Sequence, residues 1–305
     1  MLICKEEISK QIDIAIQKGR AARFNSSSHP SSAGHECPRK LWLDYRNVSF
    51  KKIPSRMLRI FETGNIYEAR GVSYINDAHG MKVKDQQKEF KDGIARGFID
   101  GIVEFDGPEE DWLLEIKSSK ETYFNQIKKH GVKEKKLEHY VQCQIYMHWT
   151  GLNKCLYMII NKNTDDIHFE VLDYEKSLAG MYLQRIKSEP LKTEMPDGIS
   201  DNPTYYLCKL CPHYDFCHFS KAAIPTCRTC KNYVPSEEGG KCGEKKNAII
   251  PIEFQHKIQS GLKNEKGKTC GKFVMDREFM STDKSLLEVE AEVKAVFGDG
   301  AKRVF

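Results

Sequence analysis

Two carboxylates and a lysine stand inside segments otherwise built for burial. In "GFIDGIVEFDGPEEDWLLEIKSSK", residues 97–120, Asp100 and the run Glu115-Ile116-Lys117 are set among Ile99, Ile102, Val103, Leu113 and Leu114. Side chains alternate along a strand. Strands over 94–105 and 112–117 therefore put Asp100, Ile102 and Glu104 on one face, opposite Ile99, Val103 and Phe105. They put Leu113, Glu115 and Lys117 together on the second strand. If the two strands pair as neighbours, Asp100 and Glu115 aim at one spot, with Lys117 one step along. Carboxylates that close repel unless a cation sits between them. Oxygen donors of this kind suit Mg²⁺ or Mn²⁺. Such an ion polarises a phosphate and acidifies water, which the lysine can orient or deprotonate. The same residues also suit a surface hairpin whose charges simply face water.

The elements around these strands read as a mixed α/β core. Ile8, Ile12, Ala15 and Ile16 recur at helical spacing and stop at Gly19. After the Ser-rich loop "NSSSHPSSAGHE", a second helix opens at "CPRKLWLDYR", with Pro38 suited to its first turn. "FETGNIYEARGVSYIND" reads as a helix with an apolar stripe of Phe61, Gly64, Val72 and Ile75, and Glu68 falls on the face that carries Gly71. The turn "DGPEED" separates the two acidic strands, and "LEHYVQCQIYMHWT" (137–150) is helical. "KCLYMIINK" and "IHFEVLDY" are strands, and "EKSLAGMYLQRIKS" is a helix. This order predicts a mixed central sheet flanked by helices.

The 305 residues carry a net charge of +5, which does not repel an acidic partner. The densest basic run is "KKHGVKEKK" (128–136), flanked by Tyr123, Phe124 and Tyr140. The run suits a solvated helix face or loop as well as a surface that neutralises phosphates, with rings that can stack bases. No segment has the roughly 20 apolar residues of a membrane span. The N-terminus lacks a signal-peptide pattern. A cytoplasmic protein without a membrane partner is expected, in the bacterial host cytoplasm if the gene is a phage's. Eleven cysteines in a reducing compartment argue for metal or cluster ligation rather than disulfides.

The stretch "GFIDGIV…LLEIK" resembles the PD-(D/E)xK nuclease superfamily, and specifically its RecB-like branch. Further features of that branch follow in order. Gly64-Asn65-Ile66-Tyr67-Glu68 stands where the branch carries G-x-x-x-H/E, with Glu in place of the usual His. Gln142 and Tyr146 match its Q-x-x-x-Y. Cys37 before the core and Cys208, Cys211 and Cys217 after it match the pattern that binds a [4Fe–4S] cluster in part of the branch. The chain is similar to CRISPR-associated iron–sulfur exonucleases and their phage-encoded relatives. The resemblance implies that Glu68, Asp100, Glu115 and the Ile116 carbonyl hold the metal and that Lys117 serves the attacking water. It implies that Gln142 and Tyr146 position the scissile strand. Beside this resemblance, the basic run 128–136 becomes a candidate path for single-stranded DNA.

Four thiolates alone suit either an iron–sulfur cluster or tetrahedral zinc, and the family pattern favours [4Fe–4S]. A second set, Cys227, Cys230, Cys242 and Cys270, lies outside that pattern. Its "CRTC" resembles a zinc knuckle, with His256 as a substitute ligand and unligated thiols as the alternative. The expected domains are a nuclease domain with its iron–sulfur staple (1–222), a Cys-rich zinc-binding-like module (223–278), and a C-terminal helix and tail (279–305). The expected activity is a metal-dependent DNA exonuclease on single strands or duplex ends in phage replication or recombination, with a recombination or replication protein as partner. A structure-selective endonuclease and a spent DNA-binding or assembly module are the alternatives.

Overall fold

The computed structural model describes residues 5–18, 27–49, 53–107, 110–219, 221, 223–255, 274 and 276–279. Helices α1 (Lys5–Gln17) and α2 (Pro38–Arg46) precede the long α3 (Ser55–Asp77). Four short strands follow: β1 (Met81–Lys84), β2 (Glu89–Asp92), β3 (Ala95–Phe98) and β4 (Gly101–Phe105). Then come β5 (Trp112–Ser119), α4 (Glu121–His130), α5 (Val132–Lys135) and α6 (Leu137–Thr150). Strands β6 (Lys154–Asn161) and β7 (Ile167–Asp173) lead to α7 (Lys176–Ser188). The remainder holds α8 (Tyr206–Leu210), α9 (Tyr214–Phe219), β8 (Tyr233–Val234), β9 (Lys241–Cys242), β10 (Ala248–Ile249) and α10 (Ile252–Gln255).

The chain divides into two compact units. One comprises Met1–Ser28, Glu36–Ile53 and Lys187–Phe305, the other His29–His35 and Pro54–Ile186. Their seams do not follow the sequence boundary at residue 222. We call the first the cysteine unit and the second the sheet unit.

In the sheet unit a five-stranded sheet runs β1-β4-β5-β6-β7. Strand β5 pairs antiparallel with β4 and parallel with β6, so the sheet is mixed, as the sequence predicts. Leu114, Ile116, Val103, Met158 and Ile160 pack on one face against Val72 and Ile75 of α3. Leu113, Ile102, Tyr157 and Ile159 pack on the other against Tyr140, Cys143, Tyr146 and Met147 of α6. Covered on both sides, β5 is buried from Leu113 to Ile116, with Glu115 the polar residue in that run.

Helix α6 is buried without a break from Tyr140 to Met147. Gln142 and Gln144 are buried with its apolar residues, so the helix is covered on every side. Its far face supplies Val141 and Ile145 to a second cluster with Ala33, Leu183 and Ile186. The loop at Gly34 lies so close that a Cβ there would sit 2.8 Å from the Glu138 Cα.

Three expectations change. The strand over 94–105 is two strands: β3 pairs with β2 in a separate two-stranded sheet, while β4 joins the central sheet. The break at Ile99–Asp100 turns Ile99 into the cluster that holds Ile102, not Val103. Phe61 is 47 % exposed, so it is not in the buried stripe of α3, which is Leu58 followed by Gly71, Val72 and Ile75. Among the described residues no helix is long and apolar enough to cross a membrane. The predicted C-terminal helix lies outside the described residues.

Candidate active site

Asp100 sits in the break just before β4, where the register brings Gly101 opposite Leu114. Its Oδ2 accepts the backbone N–H of Ile116 at 2.7 Å, which ties the carboxylate to β5. Glu115 is fully buried, and Lys117 donates a hydrogen bond to its Oε1. Glu115 Oε2 is buried with no hydrogen-bond partner among the described residues. Glu68 reaches in from α3, and its Oε1 accepts from Gln87 Nε2 at 2.6 Å.

These groups sense one another. Burial pushes Glu115 up to about 8, and the Asp100 and Glu68 charges add to the rise while Lys117 opposes it. Burial also raises Asp100, against the pull of Lys117 and the Ile116 N–H. Glu68 is raised by burial and by Asp100. For Lys117, burial works to lower the ammonium, but Glu115 and Asp100 outweigh it and hold the pKa above its ordinary value. Three carboxylates thus share one ammonium, and a buried oxygen is left over. That donor set fits a hard divalent cation. Among the described residues, no group of three or more His, Cys, Asp or Glu is drawn tight enough to hold a metal as it stands.

Helix α6 brings its buried polar residues to the same face of the sheet. Tyr146 lies where the Glu115, Lys117 and Asp100 charges act on its hydroxyl, and burial with the Glu115 charge raises its pKa. Gln142 is buried one turn earlier and hydrogen-bonds to Tyr146. A Cβ at Gly97 of β3 would fall 2.7 Å from the Tyr146 ring, so only glycine lets the ring lie there. Nearby, His139 Nδ1 is 2.8 Å from the Tyr157 hydroxyl. Burial, with Lys117 and Lys136, pushes this imidazole down to about 3.

Sequence reasoning missed Gln87, His139 and Tyr157. Gln87 lies in a turn with φ of 54°, and no spacing rule links it to Glu68. His139 sits inside the basic run's flank, and its buried partner on β6 is visible only once α6 docks on the sheet.

In the cysteine unit, Cys37 occupies the N-cap of α2, Cys208 lies in α8, Cys211 at its C-cap and Cys217 in α9. Burial raises the Cys208 thiol, with Cys37 adding to it, and raises Cys217, with Cys37 and Cys208 adding to it. Burial pushes Cys211 up to about 11, and Cys217 contributes. The four thiols share one neighbourhood through these effects, with Cys211 linked to it by Cys217, but among the described residues no three of them form a group that could hold a metal. His213, between them in sequence, is 2 % exposed, and its Nε2 is 2.9 Å from Asp44 Oδ1. Of the second set, Cys227 and Cys230 flank a single 3₁₀ turn and Cys242 lies on β9, opposite Tyr233 of β8. Cys270 and His256 lie outside the described residues.

A mixed sheet with an acid at the mouth of one strand and Glu-x-Lys on the next, faced by a glutamate-bearing helix, is the arrangement that the resemblance to the PD-(D/E)xK nucleases implies. Residues 23–153 match the YqaJ-like viral recombinase domain, a span that contains Glu68, Asp100, Glu115, Lys117, Gln142 and Tyr146. No curated protein matches the chain. Among solved structures, the chain is similar to an alkaline exonuclease from Laribacter hongkongensis, at 15% identity and a TM-score of 0.39, covering 54% of this chain and 87% of that one. The same exonuclease in complex with dAMP gives 14% identity and 0.37, with the same coverage. A phage-related exonuclease from Haemophilus somnus 129PT gives 13% identity and 0.35, covering 43% of this chain and 68% of that one. These likenesses are loose, and the weight rests on the site and the family match.

Proposed function

We propose that the chain is a divalent-metal-dependent DNA exonuclease of phage recombination. The observation that carries this reading is Glu115: fully buried, bonded to Lys117, and facing the charges of Asp100 and Glu68. Glu68, Asp100, Glu115 and the Ile116 carbonyl would hold Mg²⁺ or Mn²⁺, which supplies Lewis-acid polarisation of the scissile phosphate and a more acidic water. Lys117 holds Glu115 in place and stands ready to orient the attacking water. Tyr146, with Gln142 beneath it, offers its hydroxyl to the strand beside the acids. The burial of these groups strengthens every charge interaction among them. The family match over 23–153 supports this choice of substrate.

Linear and circular single-stranded DNA of equal length, each with Mg²⁺, test it. The linear strand should be degraded and the circle spared. Cleavage of the circle identifies an endonuclease; if both stay intact, a linear duplex separates an exonuclease of duplex ends, which degrades it, from a module without nuclease activity, which does not.

The shared neighbourhood of Cys37, Cys208, Cys211 and Cys217 supports a second element of the proposal, a [4Fe–4S] cluster that ties α2 to α8 and α9. Anaerobic purification should give a brown protein with about four irons per chain, as one such cluster requires. A colourless protein holding zinc alone would assign the set to tetrahedral zinc instead. For the second set, the Cys227–Cys230 turn beside β9 supports a zinc site, and the same metal analysis reads it.

A further inference from the structure

The basic run between β5 and α6 is not uniform. Lys133 is paired with Glu175 at 2.5 Å and Lys135 with Glu134 at 2.7 Å. Phe124 and Tyr140 are buried in the core under the sheet, so neither ring is open to a base. Tyr123 alone of the three aromatics is exposed, at 42 %. The Lys120 ammonium lies 5.3 Å from its ring centroid and that of Lys136 4.7 Å. Neither lysine lies within salt-bridge distance of a carboxylate among the described residues. Two ammonium groups gathered on one ring repel each other, and the ring's quadrupole offsets only a fraction of that cost at an exposed site. An anion that brings its own flat ring would satisfy all three.

The position of the trio connects it to the acids. Lys120 follows β5 directly, three residues beyond Lys117. Lys136 is the N-cap of α6, the helix that carries Gln142 and Tyr146. His139, within the first turn of α6, feels both Lys117 and Lys136.

We propose that Lys120, Tyr123 and Lys136 form a nucleotide subsite for the unpaired strand, with a base stacked on Tyr123 and the flanking phosphates held by the two lysines. The subsite rests on the nuclease reading above and specifies its substrate: the strand approaches with its bases unstacked from any complement. A duplex keeps its bases turned inward and cannot use the ring.

Binding in EDTA of a linear oligonucleotide carrying 2-aminopurine separates this from the hydrolysis itself. Tyr123→Ala should weaken binding about tenfold, in line with loss of one base stack, and should abolish the quenching of 2-aminopurine. Tyr123→Phe should keep both. Lys120→Gln with Lys136→Gln should reduce the salt dependence by about 1.4 in log–log slope, from about 0.7 for each phosphate contact on a single strand. If Tyr123→Ala binds and quenches as wild type does, the subsite is wrong, even where wild-type protein degrades linear DNA. If wild-type protein cleaves nothing yet shows ring-dependent quenching, the subsite stands and the hydrolase reading falls.

Discussion

Glu115→Gln should cut DNA hydrolysis by about 10³-fold, the scale set by loss of one group that stabilises transition-state charge, while leaving the fold intact. The same substitution should also change how the metal-free protein responds to pH. Glu115 titrates near 8 in the folded chain, well above the ordinary 4.5, because burial and the neighbouring carboxylates disfavour its charge. Between those two values the folded chain keeps a proton that the unfolded chain has shed. Stability of the metal-free protein therefore falls as pH rises from about 4.5 to about 8 and levels off above. Asp100, raised by burial, acts in the same direction. The total is on the order of a few kcal/mol, moderated by Lys117. In the Gln variant this slope should flatten.

Divalent ions give the complementary reading. A ligand that binds only the folded state stabilises it in proportion to the logarithm of its concentration over Kd. Mg²⁺ should raise the wild-type melting temperature and raise that of Glu115→Gln far less. Asp100→Asn provides a control, since the amide oxygen can still accept the Ile116 N–H. Full cleavage by either variant would remove the acids from the chemistry.

Trp42→Ala should destabilise the protein by about 3–5 kcal/mol, the range for emptying a buried Trp site. Trp42 is 1 % exposed in the cysteine unit, among Leu43, Val48, Ala223 and Phe279. Its ring stacks on Phe279 at 5.4 Å, and the Arg46 guanidinium lies 3.6 Å from its centroid. The indole N–H donates to the Lys192 carbonyl at 2.8 Å. Arg46 donates to the Pro190 and Lys192 carbonyls, both at 2.8 Å, with burial pushing its pKa down to about 10. Removing the indole opens a void beside this buried cation. Trp42→Phe keeps a ring and loses the N–H bond, at about 1 kcal/mol. Urea midpoints of the three proteins give the comparison. A loss under about 1 kcal/mol for the alanine variant would mean that this cluster does not hold the unit together.

Much of the site was legible because β5 obeys a local rule. Period-two alternation places Glu115 and Lys117 on one face from sequence alone, and Lys117 does donate to Glu115. Helix α6 was legible as a helix, but not as one buried on every side, because its second covering comes from Ala33 and α7, remote in sequence. The Ile99–Asp100 break was invisible: alternation continues on both sides of it, while the two halves join different sheets. Strands β1 and β2 were missed because they are four residues each and their partners fix them, not their composition. Phe61 fits the stripe's spacing, yet it sits too early in α3 to reach the sheet core that takes Val72 and Ile75. The expectation that Cys37 joins Cys208, Cys211 and Cys217 came from family resemblance, since no spacing argument spans so long a stretch of chain.

The discontinuous make-up of the two units sets an order of events on the ribosome. Domains generally complete as units while the chain is still being made. The sheet unit needs nothing beyond Ile186, so Glu68, Asp100, Glu115 and Tyr146 can be brought together while later residues are still being added. Residues 36–53 belong to a unit whose other part begins only at Lys187, so it closes later. A nascent chain long enough for β6, β7 and α7 to clear the exit tunnel would therefore display the acid cluster while the remainder of the other unit is still being made.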